Sequence, residues 1–357
     1  MKVQITHQLP PSENNPRNSE GAFLRGRKGE ILFAYSRYTG ESIHDHAACD
    51  IALITSTDEG ESWSEPRIIA PASFFGTKNV MSVSSLVQQN GDLAFYFLIK
   101  ENDFSTTLGR ALSTDGEHFR LERCRFDCKR AFYVINNDRL VRQRNGRILA
   151  PAAYITAEKN RAHTETKEIA PYTTTLLYSD DDGASFQSVG WGYNSHDSVN
   201  EQYGLQEPGV IEHKDGSLYY WLRTNYGSQF ECESDGDIER FTTPHAGQFT
   251  SPLSPMQVKE YDGVFYTIYN PIPNYNGRIK QEGTWGRTPF VLRKSEDNAT
   301  FGPLNTIEDD PSRGYCYPAI FKTTDNSLLV AYCRGDAKDG NTLCRLGIAK
   351  ILIDSIE

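Results

Sequence analysis

The sequence lacks any run of about 18 apolar residues, the length a helix needs to cross a bilayer, so no helical membrane span is expected. It also lacks an excess of positive charge. Asp and Glu number 47 against 37 Lys and Arg, a formal net charge of −10. Nucleic acid and anionic membrane surfaces both require a basic face, so neither is an expected partner. A small anionic ligand held by a few local arginines remains compatible with this balance. The seven cysteines are odd in number and cannot all pair within the chain. Residues Met1–Gln8 have no apolar core of the kind an export signal carries, so a cytoplasmic location with reduced thiols is expected. Removal of a leader from the chain would undo that expectation. Cys124 and Cys128 have no second pair to complete a zinc site, and no cofactor is implied. No helix of note, no linker and no low-complexity stretch stands out.

Aromatics, by contrast, are plentiful. They make up 11% of the chain, with 19 Tyr and 18 Phe. Such residues favour strands, where their bulk packs on a pleated surface. A hairpin signal recurs: a short turn, usually with Gly, followed by an apolar strand. It occurs at Gly29 before ILFAYS, Gly91 before LAFYFLI, Gly146 before ILAPAAY, Gly216 before LYYWLRT, Gly263 before VFYTIYN and Asn326 before LLVAYC. Asn-Gly and Asp-Gly turns suit two-residue hairpins in which both central residues take positive φ. The intervals are 62, 55, 70, 47 and 63 residues. An irregular period of this length predicts propeller blades with variable loops, and therefore one body over residues 1–357 rather than several domains.

A second motif alternates with the first. Ser56, Asp58, Gly60 and Trp63 fit Ser-x-Asp-x-Gly-x-x-aromatic, as do Ser179, Asp181, Gly183 and Phe186. Shortened copies run from Ser113 to Phe119 and from Ser295 to Phe301, and a degenerate one from Ser234 to Phe241. Its logic is local. The Asp accepts from turn N–H groups, Gly takes the left-handed position, and the aromatic packs between blades. These acids are therefore structural and are set aside from any catalytic list. A strand precedes each copy, and a sixth strand, CRLGIAKILI, has none and ends the chain. The expected fold is all-β, a six-bladed β-propeller of four-stranded antiparallel blades. Residues 2–8 are expected to supply the missing outer strand of the last blade and protect its edge.

In a propeller the first strand of each blade lines the axis. The segments ahead of the six turns carry Glu20, Asn136, Asn137, Gln206, Glu207, Tyr315 and Tyr317, which are expected to converge on one mouth. His44, Asp45 and His46 alternate on one loop and supply too few ligands for a metal. Glu101, Asp103, His163 and His196 read as loop residues without an assigned role.

With its propeller repeats and these motifs, known as Asp-boxes, the chain resembles the sialidase superfamily over nearly its whole length. That resemblance implies specific roles. Glu207, on the fourth inner strand nine residues before Gly216, matches the family's base. Tyr317, nine residues before Asn326, matches its nucleophile. Arg223, ending LYYWLR, and Arg287, eight residues before Ser295, match two arginines of the carboxylate clamp. The family's acid lies on the loop after the second strand of blade one, where Asp45 is the first choice and Asp50 the second. Gln206 and Tyr315 flank the pair as expected substrate contacts. A tyrosine paired with a glutamate avoids the repulsion that a carboxylate nucleophile meets at a sugar bearing its own carboxylate.

Blade one departs from the family pattern. The family's first arginine stands in an Arg-Ile-Pro segment that this chain lacks; residues Arg17 to Gly21 replace it. Arg17 stands slightly early for that arginine, whose place falls to Ser19 or Glu20; Arg37 at the end of ILFAYSR is the candidate substitute cation, and an axial Glu20 disfavours ordinary sialic acid. The resemblance implies an exo-acting glycoside hydrolase releasing a terminal, acidic sugar from a glycan. Two alternatives stand beside it: a sugar-binding propeller without turnover, and a polysaccharide lyase acting on a uronate.

Overall fold

The apolar strands and their turns assemble into six antiparallel blades in the computed structural model, which describes residues 1–166, 171–194, 204–274 and 280–357. Blade one runs outward from the axis as Asn18–Arg25, Ile31–Tyr38, Cys49–Ser56 and Arg67–Ala70. Blade two is Val80–Val87, Leu93–Asn102, Ser105–Ser113 and Arg120–Arg123; blade four is Gln206–Glu212, Leu218–Arg223, Ser228–Ser234 and His245–Thr250. Blade five is Gln257–Tyr261, Val264–Tyr269, Phe290–Ser295 and Asn305–Glu308. In blade six, Cys316–Lys322, Ser327–Cys333 and Leu346–Leu352 are followed by Val3–Leu9 from the other end of the chain. The all-β, six-bladed architecture read from the repeats is the one observed.

Blade three is the irregular one. Its inner edge is split between Ala131–Val134 and Val141–Arg142, both paired with Ile148–Thr156. Thr173–Ser179 and Ser185–Ser188 continue outward, and Arg125–Asp127 adds a parallel strand at the rim. A helix, Ala157–Thr166, is inserted between its second and third strands. The sequence reading expected no helix, because AEKNRAHTET is polar almost throughout and carries no apolar stripe to announce one. Glu101 belongs to a strand and His163 to this helix, rather than to loops; His196 lies outside the described residues.

The core does not sit on the axis. It is divided into six apolar wedges, one at each junction between adjacent blades, and the last joins blade six to blade one through Phe23, Phe33, Ala319, Leu329 and Ile348. The Asp-box aromatics feed these wedges. Trp63 packs on Phe23 and Phe33, with Nε1 donating to Gly60 O, and Phe186 meets Tyr96 edge-on. Within the first box, Asp58 Oδ1 accepts from Ser56 Oγ at 2.8 Å and from Ser62 N at 2.9 Å, and Gly60 N donates to Ser56 Oγ.

The turns differ in one respect from expectation. Only Asp262-Gly263 is a two-residue hairpin with both residues at positive φ, 54° and 82°. At Gly29, Gly91, Gly146 and Gly216 the loop has three residues, and only the glycine is left-handed. Such loops combine an ordinary turn with one left-handed residue, so a single Gly suffices.

Candidate functional site

Five non-glycine residues on or beside the inner strands share an unusual backbone. Glu20, Ser82, Asp138, Glu207 and Tyr317 have φ of 52°, 61°, 57°, 41° and 56°. Four of them sit where the inner strand bulges against its neighbour: between Ser19 and Ala22, Met81 and Ser84, Gln206 and Gly209, and Cys316 and Ala319. A left-handed side-chain-bearing residue costs roughly 1–3 kcal/mol and persists only where its surroundings enforce it. Here side chains from the same blade and from other blades hold the strained backbone. Ser36 Oγ donates to Glu20 O and accepts from Ser82 N, while Asn137 Nδ2 donates to both Gly21 O and Tyr317 O. The bulges turn Glu20, Ser82, Glu207 and Tyr317 into one cavity of about 700 Å³ at the mouth of the propeller.

Blades four, five and six form one side of that cavity. Tyr317 Oη donates to Glu207 Oε1 at 2.8 Å, and Arg223 Nη1 donates to Glu207 Oε2 at 2.6 Å and to Tyr317 Oη at 3.4 Å. Burial, reinforced by the Glu207 carboxylate, pushes the Tyr317 hydroxyl well above its ordinary value despite the two arginines nearby. The tyrosine thus keeps its proton, which is directed at the Glu207 carboxylate. Burial alone would lower the Arg223 guanidinium, but Glu207 more than compensates and holds it up. Arg287 donates to Cys316 Sγ at 3.1 Å and to Leu253 O at 3.3 Å, with its guanidinium carbon 4.9 Å from the Trp285 ring and 5.8 Å from the Tyr317 ring. Asn136 Nδ2 and Arg223 Nε are buried donors with no acceptor among the described residues. Both residues line the cavity.

Blade one forms the other side. Arg17 is 1% exposed and does not line the cavity. It donates to Ser19 Oγ, Ile43 O, Asp45 Oδ1 at 2.6 Å and Glu20 Oε2 at 3.3 Å, and stacks 4.3 Å from the Tyr38 ring. Glu20 and Asp45 do line the cavity and share this cation. Burial raises the Glu20 carboxyl above the ordinary glutamate value, and Arg17 offsets only part of that. Desolvation would raise Asp45 too, but its side chain is 61% exposed, and Arg17 and Lys100 bring it down to about 2.

Seven of the ten residues given a site role from the sequence, Glu20, Asp45, Gln206, Glu207, Arg223, Arg287 and Tyr317, line the cavity. The other three do not. Arg37 lies opposite Asp50 on the neighbouring strand, outside the lining, and Arg17 is the buried support just described. Tyr315 is in the core between blades five and six, stacked on Phe290 and edge-on to Tyr332. Simple alternation would put Tyr315 on the same side as Tyr317, but the bulge at Tyr317 breaks that parity. Asp50, the second choice for the acid, accepts from Ala72 N and holds a short turn instead. Sequence reasoning missed Lys100, Tyr172 and Trp285, which also line the cavity. Lys100 was within reach: it stands near the end of a second strand, as Arg223 does.

The fold and this cavity define a six-bladed propeller with polar groups from different blades gathered at one mouth. Residues 44–330 match the BNR repeat-like domain family, and the chain belongs to that family. A comparison with curated proteins gave no match. Among solved structures it resembles a protein of unknown function from Dyadobacter fermentans at 16% identity and a TM-score of 0.70, covering 98% of this chain and 99% of that one. It also resembles the Hadza microbial sialidase Hz136 at 14% identity and a TM-score of 0.73, covering 96% of this chain but 66% of that one. Trypanosoma rangeli sialidase, solved with 2,3-difluorosialic acid as a covalent intermediate, shares 15% identity at a TM-score of 0.68, covering 95% of this chain and 55% of that one. The chain therefore spans little more than half of that sialidase.

Proposed function

We propose that the protein is an exo-acting glycoside hydrolase of the sialidase type, with Tyr317 as nucleophile and Glu207 as its base. The observation that carries this reading is the 2.8 Å hydrogen bond from the Tyr317 hydroxyl to Glu207, with Arg223 bonded to both inside a ligand-sized cavity. A hydroxyl this strongly protonated is a weak nucleophile until its proton moves, and an adjacent carboxylate is the general remedy. Arg287, packed against the Tyr317 ring, and Arg223 offer cationic donors to an acidic sugar. The orphaned donors of Asn136 and Arg223 favour an occupant rich in acceptors, as a sugar is.

Turnover of a panel of aryl glycosides of neutral and acidic sugars tests the reading. Tyr317→Phe keeps the ring and its packing but removes the attacking oxygen, and kcat is expected to fall by about 1,000-fold or more. Equal turnover by the variant would remove Tyr317 from the mechanism. A second reading, sugar binding without turnover, is favoured by the withdrawal of Arg17 behind Glu20. Saturable binding by calorimetry, with no product from any member of the panel, would select it.

A further inference from the structure

Among the described residues the cavity holds two carboxyl groups beyond Glu207, and they are not equivalent. Glu20 is 5% exposed and belongs to the inner-strand ring with Glu207 and Tyr317; Asp45 stands on a loop with 61% of its side chain in solvent. Arg17 is placed closer to Asp45 than to Glu20, at 2.6 against 3.3 Å. Both protein hydrogen bonds that reach the Glu20 carboxylate, from Arg17 Nη2 and Ser19 Oγ, end on Oε2. Among the described residues Oε1 is therefore the atom left for whatever occupies the cavity. We infer that Glu20, rather than Asp45, is the group that hands a proton to the departing glycosidic oxygen. This rests on the hydrolase reading above.

The charges facing Glu20 support the division of labour. Arg17 on its own segment and Lys100 of blade two are positive; Asp45 and Glu207 are negative; Tyr38, Cys49, Tyr317 and Cys333 are neutral neighbours. One close cation serves two carboxylates, and the exposed member takes the shorter bond. Burial then keeps the Glu20 carboxyl above its ordinary range while Asp45 stays ionised. Environments that drive two carboxyls apart in this way mark the proton donor as the raised member.

The chemistry balances. In the first step the Tyr317 oxygen bonds to the anomeric carbon and its proton passes to Glu207. The glycosidic C–O bond breaks, and its electron pair leaves on the aglycone oxygen, which takes the Glu20 proton. In the second step a water oxygen bonds to the anomeric carbon and a water proton returns to Glu20. The tyrosyl C–O bond breaks, and Tyr317 recovers its proton from Glu207. Both carboxyls end as they began.

Leaving-group dependence tests the assignment. An activated 2,4-dinitrophenyl glycoside needs no proton, whereas a phenyl glycoside of the same sugar does. Glu20→Gln is expected to slow the phenyl glycoside by about 100-fold or more while leaving the dinitrophenyl glycoside within roughly 5-fold. It should also abolish the alkaline limb of the kcat/KM profile. Asp45→Asn should leave the ratio of the two substrates unchanged. Equal losses on both substrates in Glu20→Gln, or a leaving-group-dependent loss in Asp45→Asn, would overturn the inference. A wild type that turns over no glycoside sinks the hydrolase reading and the role of Glu20 with it, so the two failures are distinct. Should Glu20→Gln fail to fold, carbon-13 titration of the wild-type glutamate carboxyls decides, with Glu20→Asp used for assignment. A Glu20 signal titrating at or below about 4.3, the ordinary glutamate value, overturns the inference.

Discussion

Arg17 shows how a residue outside the cavity shapes it. It is buried, and its bonds to Glu20 and Asp45 hold two carboxyl groups at the mouth. Replacing it with Met keeps the packing on Tyr38 but leaves Glu20 buried without its cation. Breaking a buried pair in this way typically costs about 3–5 kcal/mol. Urea denaturation should show a loss of that size for Arg17→Met at neutral pH. The sign of its pH dependence follows. Without Arg17 the folded-state value of Glu20 rises further above its unfolded value, so the folded state binds the proton more tightly. Stability of the variant should therefore recover as the pH falls from neutral toward the unfolded glutamate value. A variant as stable as wild type at neutral pH would show that the pair contributes nothing. The same end of the site was the hardest to read. Glu207 and Tyr317 were legible because each stands nine residues before a left-handed turn residue, Gly216 and Asn326. The same count from Gly29 and Gly91 lands on Glu20 and Ser82, which share their backbone. What the count does not reveal is which way Arg17 points, because that depends on a loop, Ile43–Asp45, folding back over it.

At the scale of the element, the Asp-box is where sequence and structure agree most closely, because its interactions span at most seven residues. Asp58 caps its own turn through Ser62 and Ser56, and those hydrogen bonds bring its carboxyl down to about 2. Asp115 and Asp297 are lowered in the same way by turn N–H groups, with His118 the largest influence on Asp115. Asp58→Ala should destabilise by about 1 kcal/mol, the usual scale for a lost local cap, measurable as a shift in urea midpoint. Because the folded-state value is depressed, this stabilisation is complete above the unfolded value near ~3.9 and fades as the pH falls toward 2. The gap between Asp58→Ala and wild type should therefore close over that window. A gap that persists at pH 2 would mean the box works through packing alone. The inner strands were less legible than the boxes. Their bulges invert alternation at one residue, which is why Tyr315 read as a cavity contact and proved to be core. Cross-blade bonds such as Asn137 to Tyr317 O join partners 180 positions apart at these bulges, and no local pattern encodes those.

For the whole molecule the decisive contact is the one that joins its two ends. Val3–Leu9 runs antiparallel to Leu346–Leu352, pairing Val3 with Ile351 and Leu9 with Leu346. Its side chains enter two wedges: Val3 and Ile5 pack on the core between blades five and six, and Leu9 lies in the one between six and one. Removing residues 1–9 takes away the outer strand of blade six and exposes the open edge of Leu346–Leu352, the kind of edge that templates association. The melting temperature is expected to fall by about 5 °C or more, with light scattering that grows with concentration. Deletion alone would not separate loss of closure from loss of nine residues' packing. The geometry offers the control. Lys2 N donates to Ser355 Oγ at 2.7 Å, and Leu352 N reaches Lys2 O, so the start of the first strand lies beside the end of the last. A circular permutant that joins residue 357 to residue 2 by a short linker and opens the chain between Leu9 and Asn18 keeps every strand pair. It makes blade six from four consecutive strands and forfeits only the covalent link from that blade to the first. If ring closure by strand pairing is what stabilises the propeller, the permutant should melt within a few degrees of wild type and stay monodisperse. If it melts as low as the deletion, the connection through residues 10–17, which Asn18 Nδ2 grips at Leu9 O and Pro10 O, is the part that matters.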